Sequence, residues 1–374
     1  MQLNYPGMKA ASRMLPVFLG LSVLFAQCKK DPEPEQTIPD RNFLNALIEQ
    51  GVDKNGDGYI SAAEAEAVTI LDVSDHNIRN MEGLEAFINL EDLNCSQNYI
   101  SNLDLASNTA LQSLYCENNQ LSALELTHNL LLETLICTAN EISSLNITAN
   151  TALKGVDCTS NKLSTLDVSH NTGLLSLNCT NNQLSSLDVS QNPDLFFFSC
   201  DKNSLSTIDL SQNPDLDFFS CKENNLSTLD VSGNPALEGL VCSDNPLTAL
   251  DLSNNPVLKS LECEDNQLTA LDLSNQAELY ELYCSGNQLT VLDVSIQTDL
   301  RILECANNQL TTLDVSNNAM LGVDMGDWID CHLDLGGMPD LVEVCVWTTP
   351  FPPEGLLLCA DGSPNVTFTD ACSR

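Results

Sequence analysis

LLSLNCTNNQLSSLDVSQNPD occupies residues 174–194, and LFFFSCDKNSLSTIDLSQNPD follows it directly at residues 195–215. Both segments are 21 residues long and carry Leu, Cys, Asn and Asp at the same places. The spacing extends along the chain, where eleven cysteines recur every 21 residues, at positions 95, 116, 137, 158, 179, 200, 221, 242, 263, 284 and 305. A fixed period of this size is typical of solenoids, in which each repeat buries its apolar side only against its neighbours. The sequence therefore predicts a tandem array and argues against most enzyme folds.

Each repeat follows the pattern LxxLxCxxNxLxxLDVSxNPx. Leu-x-Cys and Leu-Asp-Val alternate as half-buried strands do, so we expect two short parallel strands on opposite faces of each coil. The Asn-Pro and Ser-x-Asn segments are typical of the corners between them. Ordering a residue costs on the order of 1.5 kcal/mol, so one coil with about six inward apolar side chains is not stable alone. Stacking of the coils is therefore required.

The pattern closely resembles the leucine-rich repeat family, specifically its 21-residue subclass in which Cys can replace Leu at the inward position of the first strand. The resemblance covers residues 70–346. It implies a mainly β solenoid of about 12 to 14 coils. It also implies a protein that binds other molecules and is not an enzyme. The four histidines have no zinc-ligand spacing and no catalytic motif interrupts the period, which agrees with that expectation.

Two columns of the repeat are predicted to point inward. The asparagine three residues after each cysteine, from Asn98 to Asn308, is expected to bond backbone groups of its own and adjacent coils. For the cysteines, we favour buried thiols that act as small apolar side chains. A ladder of disulfides would leave one of eleven unpaired, and a stack of thiolates that binds soft metal would need exposed ligands.

Residues 53–64, DKNGDGYISAAE, resemble the EF-hand calcium loop. The resemblance implies a Ca²⁺ ion held by side-chain oxygens and one backbone carbonyl, from Asp53, Asn55, Asp57, Tyr59 (carbonyl), Ser61 and Glu64. Because there is one loop and not a pair, we expect calcium to rigidify the segment rather than to operate a switch. The helix-loop-helix of residues 41–69 is predicted to cap the solenoid. The alternative is an acidic turn that holds no metal.

The N-terminal segment indicates export. An apolar run, LPVFLGLSVLFA at residues 15–26, is too short to span a bilayer and is followed by Cys28. It resembles a bacterial lipoprotein signal (residues 1–28) with a lipidated Cys28, although Gln27 replaces the usual small residue. Residues 29–40 are charged and Pro-rich, as in an extended tether. We expect an outer-membrane lipoprotein exposed at the cell surface, with a periplasm-facing anchor as the alternative.

The C-terminal segment, residues 347–374, is predicted to be a second cap. After Cys305 the ladder slips, and we expect Met325 at the cysteine position with Leu333 to Leu335 as a second strand. Cysteines in a small terminus of an exported protein are typically disulfide-bonded. Three pairings of Cys331, Cys345, Cys359 and Cys372 are possible, of which 345 with 372 and 331 with 359 is favoured.

The charge pattern restricts the partners. With 52 acidic and 14 basic residues the net charge is −38, which argues against binding to nucleic acid or to anionic membranes. An outward Asp recurs nine residues after the cysteine, at positions 104, 167, 188, 209, 230, 251, 272, 293 and 314. This column either binds cations or accepts hydrogen bonds from nearby Ser, Thr and backbone donors, and we favour the second interpretation.

Aromatic residues mark a candidate ligand face. Phe196, Phe197 and Phe218 are expected to point outward on adjacent coils, with Tyr280 and Tyr283 further along. Clustered exposed aromatics are typical of contact sites, unless the coil tilts and buries them. Two functions follow: a surface protein that recognises or adheres to protein ligands, or a glycan-binding accessory lipoprotein of a polysaccharide-uptake system. A passive wall component is a third possibility.

Overall fold

The computed structural model describes residues 38–323 and 331–372, which belong to one compact unit. The predicted signal at residues 1–28, the lipidation site Cys28, most of the 29–40 tether and Met325 lie outside the described residues. The mainly β solenoid is confirmed, because fourteen short parallel strands stack into one sheet. They are β1 Ile70–Asp72, β2 Asp92–Asn94, β3 Ser113–Tyr115, β4 Thr134–Ile136, β5 Gly155–Asp157, β6 Ser176–Asn178, β7 Phe197–Ser199, β8 Phe218–Ser220, β9 Gly239–Val241, β10 Ser260–Glu262, β11 Glu281–Tyr283, β12 Ile302–Glu304, β14 Leu333–Asp334 and β16 Leu358–Cys359.

A second, three-stranded sheet consists of β13 Thr312–Asp314, β15 Glu343–Cys345 and β17 Thr367–Thr369. It contains the second strand predicted for each coil, which is regular only at this end of the solenoid. In other coils the same face is connected by isolated bridges, such as Leu124 to Leu145 and Asp230 to Asp251.

The 21-residue period of the sequence determines which residues pair in the sheet. Residues 21 apart are paired across the strands, as in Leu114 to Leu135 and Phe198 to Phe219. These middle residues are fully buried, as are all eleven cysteines of the array. Burial raises the pKa of every one of these thiols, to about 12 for Cys95. The predicted burial of the cysteine column is confirmed.

The first asparagine column also behaves as predicted. The Asn161 Nδ2 donates to the carbonyl oxygens of Cys137 and Cys158, both at 3.0 Å, and its Oδ1 accepts from the Ile142 N–H. The side chain thus satisfies backbone groups of two coils at the point where strand pairing stops.

A second buried column was not predicted. It lies thirteen residues after the cysteine, where Asn171 donates to the carbonyls of Ile147 and Asn150 in the preceding coil, at 3.0 and 2.8 Å. The recurrence of Asn in the SxN corner was the available signal, but a corner position is usually exposed. Both columns join each coil to its neighbour.

The N-terminal segment covers the first coil. Helix α1, Arg41–Glu49, is followed by the loop and by α2, Ala62–Glu66. Phe43, Leu47 and Ile60 are fully buried and belong to the same apolar core as the coils. The Asp40 carboxylate accepts from backbone N–H groups at the start of α1 and from those of Arg79 and Asn80 in the first coil, the last two at 2.8 and 3.0 Å.

The predicted register after Cys305 is wrong. Leu333 pairs with Leu303 in the main sheet, so it belongs to a first strand and not to a second one. Val344 pairs with Leu313 on the opposite face. The separation of Leu303 and Leu333 is thirty residues, nine more than the period, so one coil contains an insertion. Apolar residues before and after an insertion fit more than one register, and only the packing selects among them.

Two disulfides connect the last coils, and the favoured pairing is confirmed. Cys331 is bonded to Cys359, with their Cα atoms 5.9 Å apart, and Cys345 to Cys372, at 5.6 Å. The strand β17, in the predicted C-terminal cap, pairs with β15. No helix in the described part of the chain is long and apolar enough to cross a membrane.

Candidate recognition surface

The outer face of the fourteen-stranded sheet presents a regular grid of side chains. In most coils the positions four, three and one before the cysteine, and the one after it, are exposed or half-buried, with exceptions such as Ile302 and Ser243, which are buried. Neighbouring coils place equivalent residues about 4.8 Å apart. The composition of this face varies from coil to coil while the inward positions repeat, so specificity for a ligand can reside here.

An apolar cluster interrupts this polar grid. Phe196 and Leu175 occupy the same place in successive coils, are joined by a backbone hydrogen bond of 3.0 Å, and keep 48% and 38% of their surfaces exposed. Phe197 and Phe218 lie beside them and are half-buried. We call these four residues the apolar patch. It contains the three predicted phenylalanines, while Leu175 was missed although its equivalence to Phe196 was visible in the repeat.

The two inner rings of the patch are stacked. The Phe197 and Phe218 rings lie 5.1 Å apart between centroids and are nearly parallel, at 8°. Gly239 follows Phe218 in the register, and a Cβ there would lie 2.8 Å from the Phe218 Cδ2 atom. The absence of a side chain at Gly239 therefore leaves room for the ring. One face of the Phe218 ring is covered by Phe197 and the other by the strand that carries Gly239.

The predicted tyrosines form a separate group. Tyr280 and Tyr283 flank Glu281, which occupies the Phe218 column three coils further along, or about 14 Å away at 4.8 Å per coil. Both are half-buried. Burial, and then Glu281 and Glu304, raise the pKa of Tyr283 well above its usual value. The structure thus brings the phenylalanines together but not the tyrosines with them.

Between these groups the face is acidic. Glu262 and Glu264 are half-buried, and among the described residues neither carboxylate has a hydrogen bond or a close ion pair. Burial raises the pKa of both carboxyls. Lys222 is the nearby cation, but its Nζ is paired with Asp244 at 3.5 Å. This acidic region was not predicted, because isolated Glu residues give no signal until the register aligns them.

The Asp column faces the solvent on the other side of the coil. Each Oδ1 accepts a bond from the N–H two residues on, as Asp251 does from Ser253 at 2.9 Å. The Ser253 bonds lower the pKa of Asp251, so that it stays ionised. These bonds are the ones expected under the favoured interpretation. Binding of cations by the column stays a prediction.

The calcium loop has an all-oxygen set of side chains. Asp53 accepts from the Gly56 N–H at 2.7 Å and from the Gly58 N–H at 2.9 Å, which folds the loop around its carboxylate. Asn55 and Asp57 accept from the N–H two residues on, at 2.8 and 2.9 Å. Tyr59, whose carbonyl is the predicted ligand, has an exposed side chain. Hard oxygen donors on a loop of this shape suit Ca²⁺.

Glu64 is engaged elsewhere in this conformation. Its Oε2 accepts from the Ser61 N–H and hydroxyl, at 2.9 and 2.8 Å, while its Oε1 accepts from the Lys54 and Asn55 N–H groups. Among the described residues, three acidic, Cys or His side chains have their ligand atoms within 4.8 Å of one another at Asp314, Cys345 and Cys372. The carboxylates of the calcium loop lie further apart than this. Closure around calcium would require Glu64 to turn inward.

Comparison with known proteins gives structural neighbours only. No protein-family model matches the chain, and no curated protein matches its sequence. An internalin of Listeria monocytogenes (inlF) superimposes over 91% of this chain and 97% of its own, with a TM-score of 0.61 and 19% identity. A leucine-rich repeat protein of Leptospira interrogans superimposes over 71% and 75%, with a TM-score of 0.58 and 22% identity.

A plant structure has the same fold. The peptide hormone receptor RGFR1 in complex with RGF2 aligns over 76% of this chain and 56% of its own, with a TM-score of 0.55 and 16% identity. Identities at this level establish the architecture and nothing more. Together with the 21-residue register, they show that this chain has the fold of the leucine-rich repeat proteins.

Proposed function

We propose that this chain is a cell-surface lipoprotein that binds protein ligands, in recognition or adhesion, through the outer face of its fourteen-stranded sheet. The observation that carries the proposal is the apolar patch, since Phe196 and Leu175 are exposed on an otherwise polar face. Aromatic residues in such clusters dominate the energetics of protein interfaces. The peptide hormone complex among the structural neighbours supports a protein ligand by analogy of fold.

The stacked rings favour a protein over a glycan. A sugar ring packs against the free face of an aromatic side chain, whereas Phe218 has Phe197 against one face and the Gly239 strand against the other. The exposed parts of the patch are the Phe196 side chain and the Leu175 methyl groups, which suit apolar side chains of a protein. A glycan-binding accessory role in polysaccharide uptake remains the alternative function. No catalytic role is proposed.

A binding experiment separates the two functions. The full chain is applied to arrays of extracellular proteins and of glycans, with Phe196→Ala/Phe218→Ala as the test variant and Leu130→Ala/Val291→Ala as the control. The control removes two exposed apolar side chains away from the patch. We expect protein ligands to bind wild type and control alike and to lose about tenfold or more in affinity for the test variant. The proposal would be contradicted if protein ligands bound the test variant as tightly as the wild type. It would also be contradicted if only glycans bound the chain.

The lipid anchor is proposed from the sequence pattern at Cys28. We expect cells that express the chain to attach a labelled fatty acid to it, and Cys28→Ser to abolish the label. Proteinase treatment of intact cells distinguishes the two orientations. Degradation of the solenoid would support surface exposure, while protection until the outer membrane is opened would support the periplasm-facing alternative.

Calcium is proposed to stabilise the N-terminal cap. The loop lies between α1 and α2, and Val52 and Ile60 at its ends belong to the apolar core. Rigidifying the loop would therefore hold the cap on the first coil. We propose Asp53, Asn55, Asp57, Tyr59, Ser61 and Glu64 as the ligands, with an affinity of about 10⁻⁴ to 10⁻³ M as in extracellular modules.

A further inference from the structure

We propose that the protein partner binds through a basic segment, which places an apolar side chain on the apolar patch and Lys or Arg side chains over Glu262 and Glu264. This inference rests on the proposed function and specifies the partner. It follows from the arrangement of charge around the patch.

On the side of the C-terminal coils, the residues next to the apolar patch are acidic. Asp217 succeeds Phe196 at the same repeat position, joined to it by a backbone bond of 2.9 Å, and Glu238 succeeds Asp217 at 2.8 Å. Asp201 is half-buried beside them and accepts bonds from the Ser220 hydroxyl at 2.5 Å and the Lys222 N–H at 2.7 Å. Glu262 and Glu264 lie two coils beyond Phe218, or about 10 Å at 4.8 Å per coil.

The chain has little cationic charge to neutralise this region. Each lysine of the solenoid is already within ion-pair distance of a carboxylate: Lys154 with Glu133, Lys162 with Glu141, Lys202 with Glu223, Lys222 with Asp244 and Lys259 with Glu238. Glu262 and Glu264, by contrast, have no such partner among the described residues. Half-buried carboxylates without partners are costly, and cations from a ligand would remove that cost.

The geometry sets the spacing of the complementary groups. An extended segment advances about 3.3 Å per residue, so a segment that crosses the coils would contact the apolar patch with one residue. With its apolar residue on Phe218, the residue three positions further along would lie about 10 Å away, over Glu262 and Glu264. An apolar residue followed three positions later by Lys or Arg is therefore the shortest complementary motif. Electrostatic complementarity of this kind raises association rates and excludes acidic competitors.

Three labelled peptides of equal length test the proposal by fluorescence anisotropy with the full chain. One carries Leu and Lys three positions apart, one replaces Lys by Glu, and one replaces Leu by Gly. We expect binding of the first only, weakened about tenfold by Phe196→Ala/Phe218→Ala and severalfold by Glu262→Gln/Glu264→Gln. The glutamine variant should also bind with less dependence on salt between about 50 and 500 mM.

The matched control is Asp251→Asn/Asp272→Asn, which removes two carboxylates from the Asp column on the other side of the coil. If this control weakened binding of the Leu-Lys peptide as much as Glu262→Gln/Glu264→Gln does, the peptide would be attracted by the overall negative charge of the chain. That result would overturn the proposal. Equal binding of the Gly peptide would also overturn it. If array ligands require the apolar patch but the Leu-Lys peptide does not bind, the proposed function stands and the basic partner does not. Far-UV circular dichroism checks the folding of each variant.

Discussion

Asn254 and Asn255 are consecutive in one corner of the solenoid, yet only the second has its side chain inside. The Asn255 Nδ2 donates to the carbonyls of Val231 and Asn234 at 3.0 and 2.9 Å, while its Oδ1 has no partner within the described residues. Asn254 is exposed. The amide contributes through its two donated bonds, which connect its coil to the preceding one. The Val231 carbonyl also accepts the Asn234 N–H and the Asn234 carbonyl the Leu237 N–H.

We predict that Asn255→Ala lowers the free energy of unfolding by about 1 to 3 kcal/mol, because two buried hydrogen bonds to the preceding coil are lost. Asn254→Ala is the control and should change it by less than about 0.5 kcal/mol. Asn255→Gln should be intermediate, since Gln276 and Gln297 occupy this column naturally and bond the same way. Urea unfolding of the three variants measures the differences, and equal effects at 254 and 255 would contradict the role of the column.

A second prediction at this scale concerns Glu262 and Glu264. Burial, opposed by the charge of Lys222, raises the folded-state pKa of both above the unfolded value. Their stability contribution is therefore present below the unfolded pKa and is lost as pH rises through the folded pKa. We predict that Glu262→Gln/Glu264→Gln raises the melting temperature at pH 7. The gain in the free energy of unfolding should be at most about 1 kcal/mol, because solvent screens these half-exposed charges. The gain should shrink as pH falls through the raised folded pKa towards the value for unfolded Glu, about 4.3, because the wild-type carboxyls become protonated on the way.

Thermal unfolding between about pH 2 and 8 measures this difference, a range that extends below the pKa of unfolded Asp at about 3.9. Asp251→Asn/Asp272→Asn is expected to behave oppositely, because bonds from Ser253 and Ser274 lower the pKa of those carboxyls. Stability from the Asp column is present above the unfolded pKa and is lost as pH falls through the folded one. A glutamine variant whose advantage is constant over this range would exclude titration as its cause.

At the scale of the element, the calcium loop and helix α2 share Glu64. Its carboxylate completes the capping box with Ser61, and it is also the proposed bidentate ligand. Glu64→Gln keeps a side chain that can form the capping box but removes the charge needed for calcium. The substitution therefore separates the two roles of one residue.

We predict that about 10 mM calcium stabilises the wild type by roughly 1 to 3 kcal/mol, if the affinity is in the range of extracellular modules. Glu64→Gln should melt close to the wild type in chelator and gain little from calcium. Glu66→Gln, an exposed carboxylate on the same helix, is the control and should respond like the wild type. If calcium did not change the melting temperature of the wild type, the alternative interpretation of an acidic turn that holds no metal would be favoured.

The elements also show what the sequence could predict. The positions of the first strands and the burial of the cysteine and first asparagine columns followed from the period, because every coil repeats the same local sequence. The stacking of Phe197 on Phe218 did not, since it depends on Gly239 one coil further along. The pairing of Cys331 with Cys359 was favoured correctly, but the register of Leu333 was not, because an insertion of nine residues leaves the alternation ambiguous.

For the solenoid as a whole, stability is approximately a sum of coil and interface contributions, so the number of coils should be adjustable while the period is not. Deleting residues 127–147 removes 21 residues and joins Leu126 to Thr148, which preserves every column. Deleting residues 128–147 removes twenty and shifts the columns of the two flanking coils by one position. A shift by one residue exchanges the inward and outward faces of a strand.

We predict that the 21-residue deletion unfolds in one cooperative transition and loses only a few kcal/mol, the order of one nearest-neighbour interface. In that variant Asn150 takes the place of Asn129, whose Nδ2 donates to the Leu105 and Asn108 carbonyls of the preceding coil at 3.1 and 2.9 Å. The twenty-residue deletion should show a broadened or biphasic urea transition, because the coils on either side of the junction can no longer share one ladder. Equal cooperativity of the two deletions would mean that the register is not what joins the coils, and the apolar patch could then not be treated as a fixed surface.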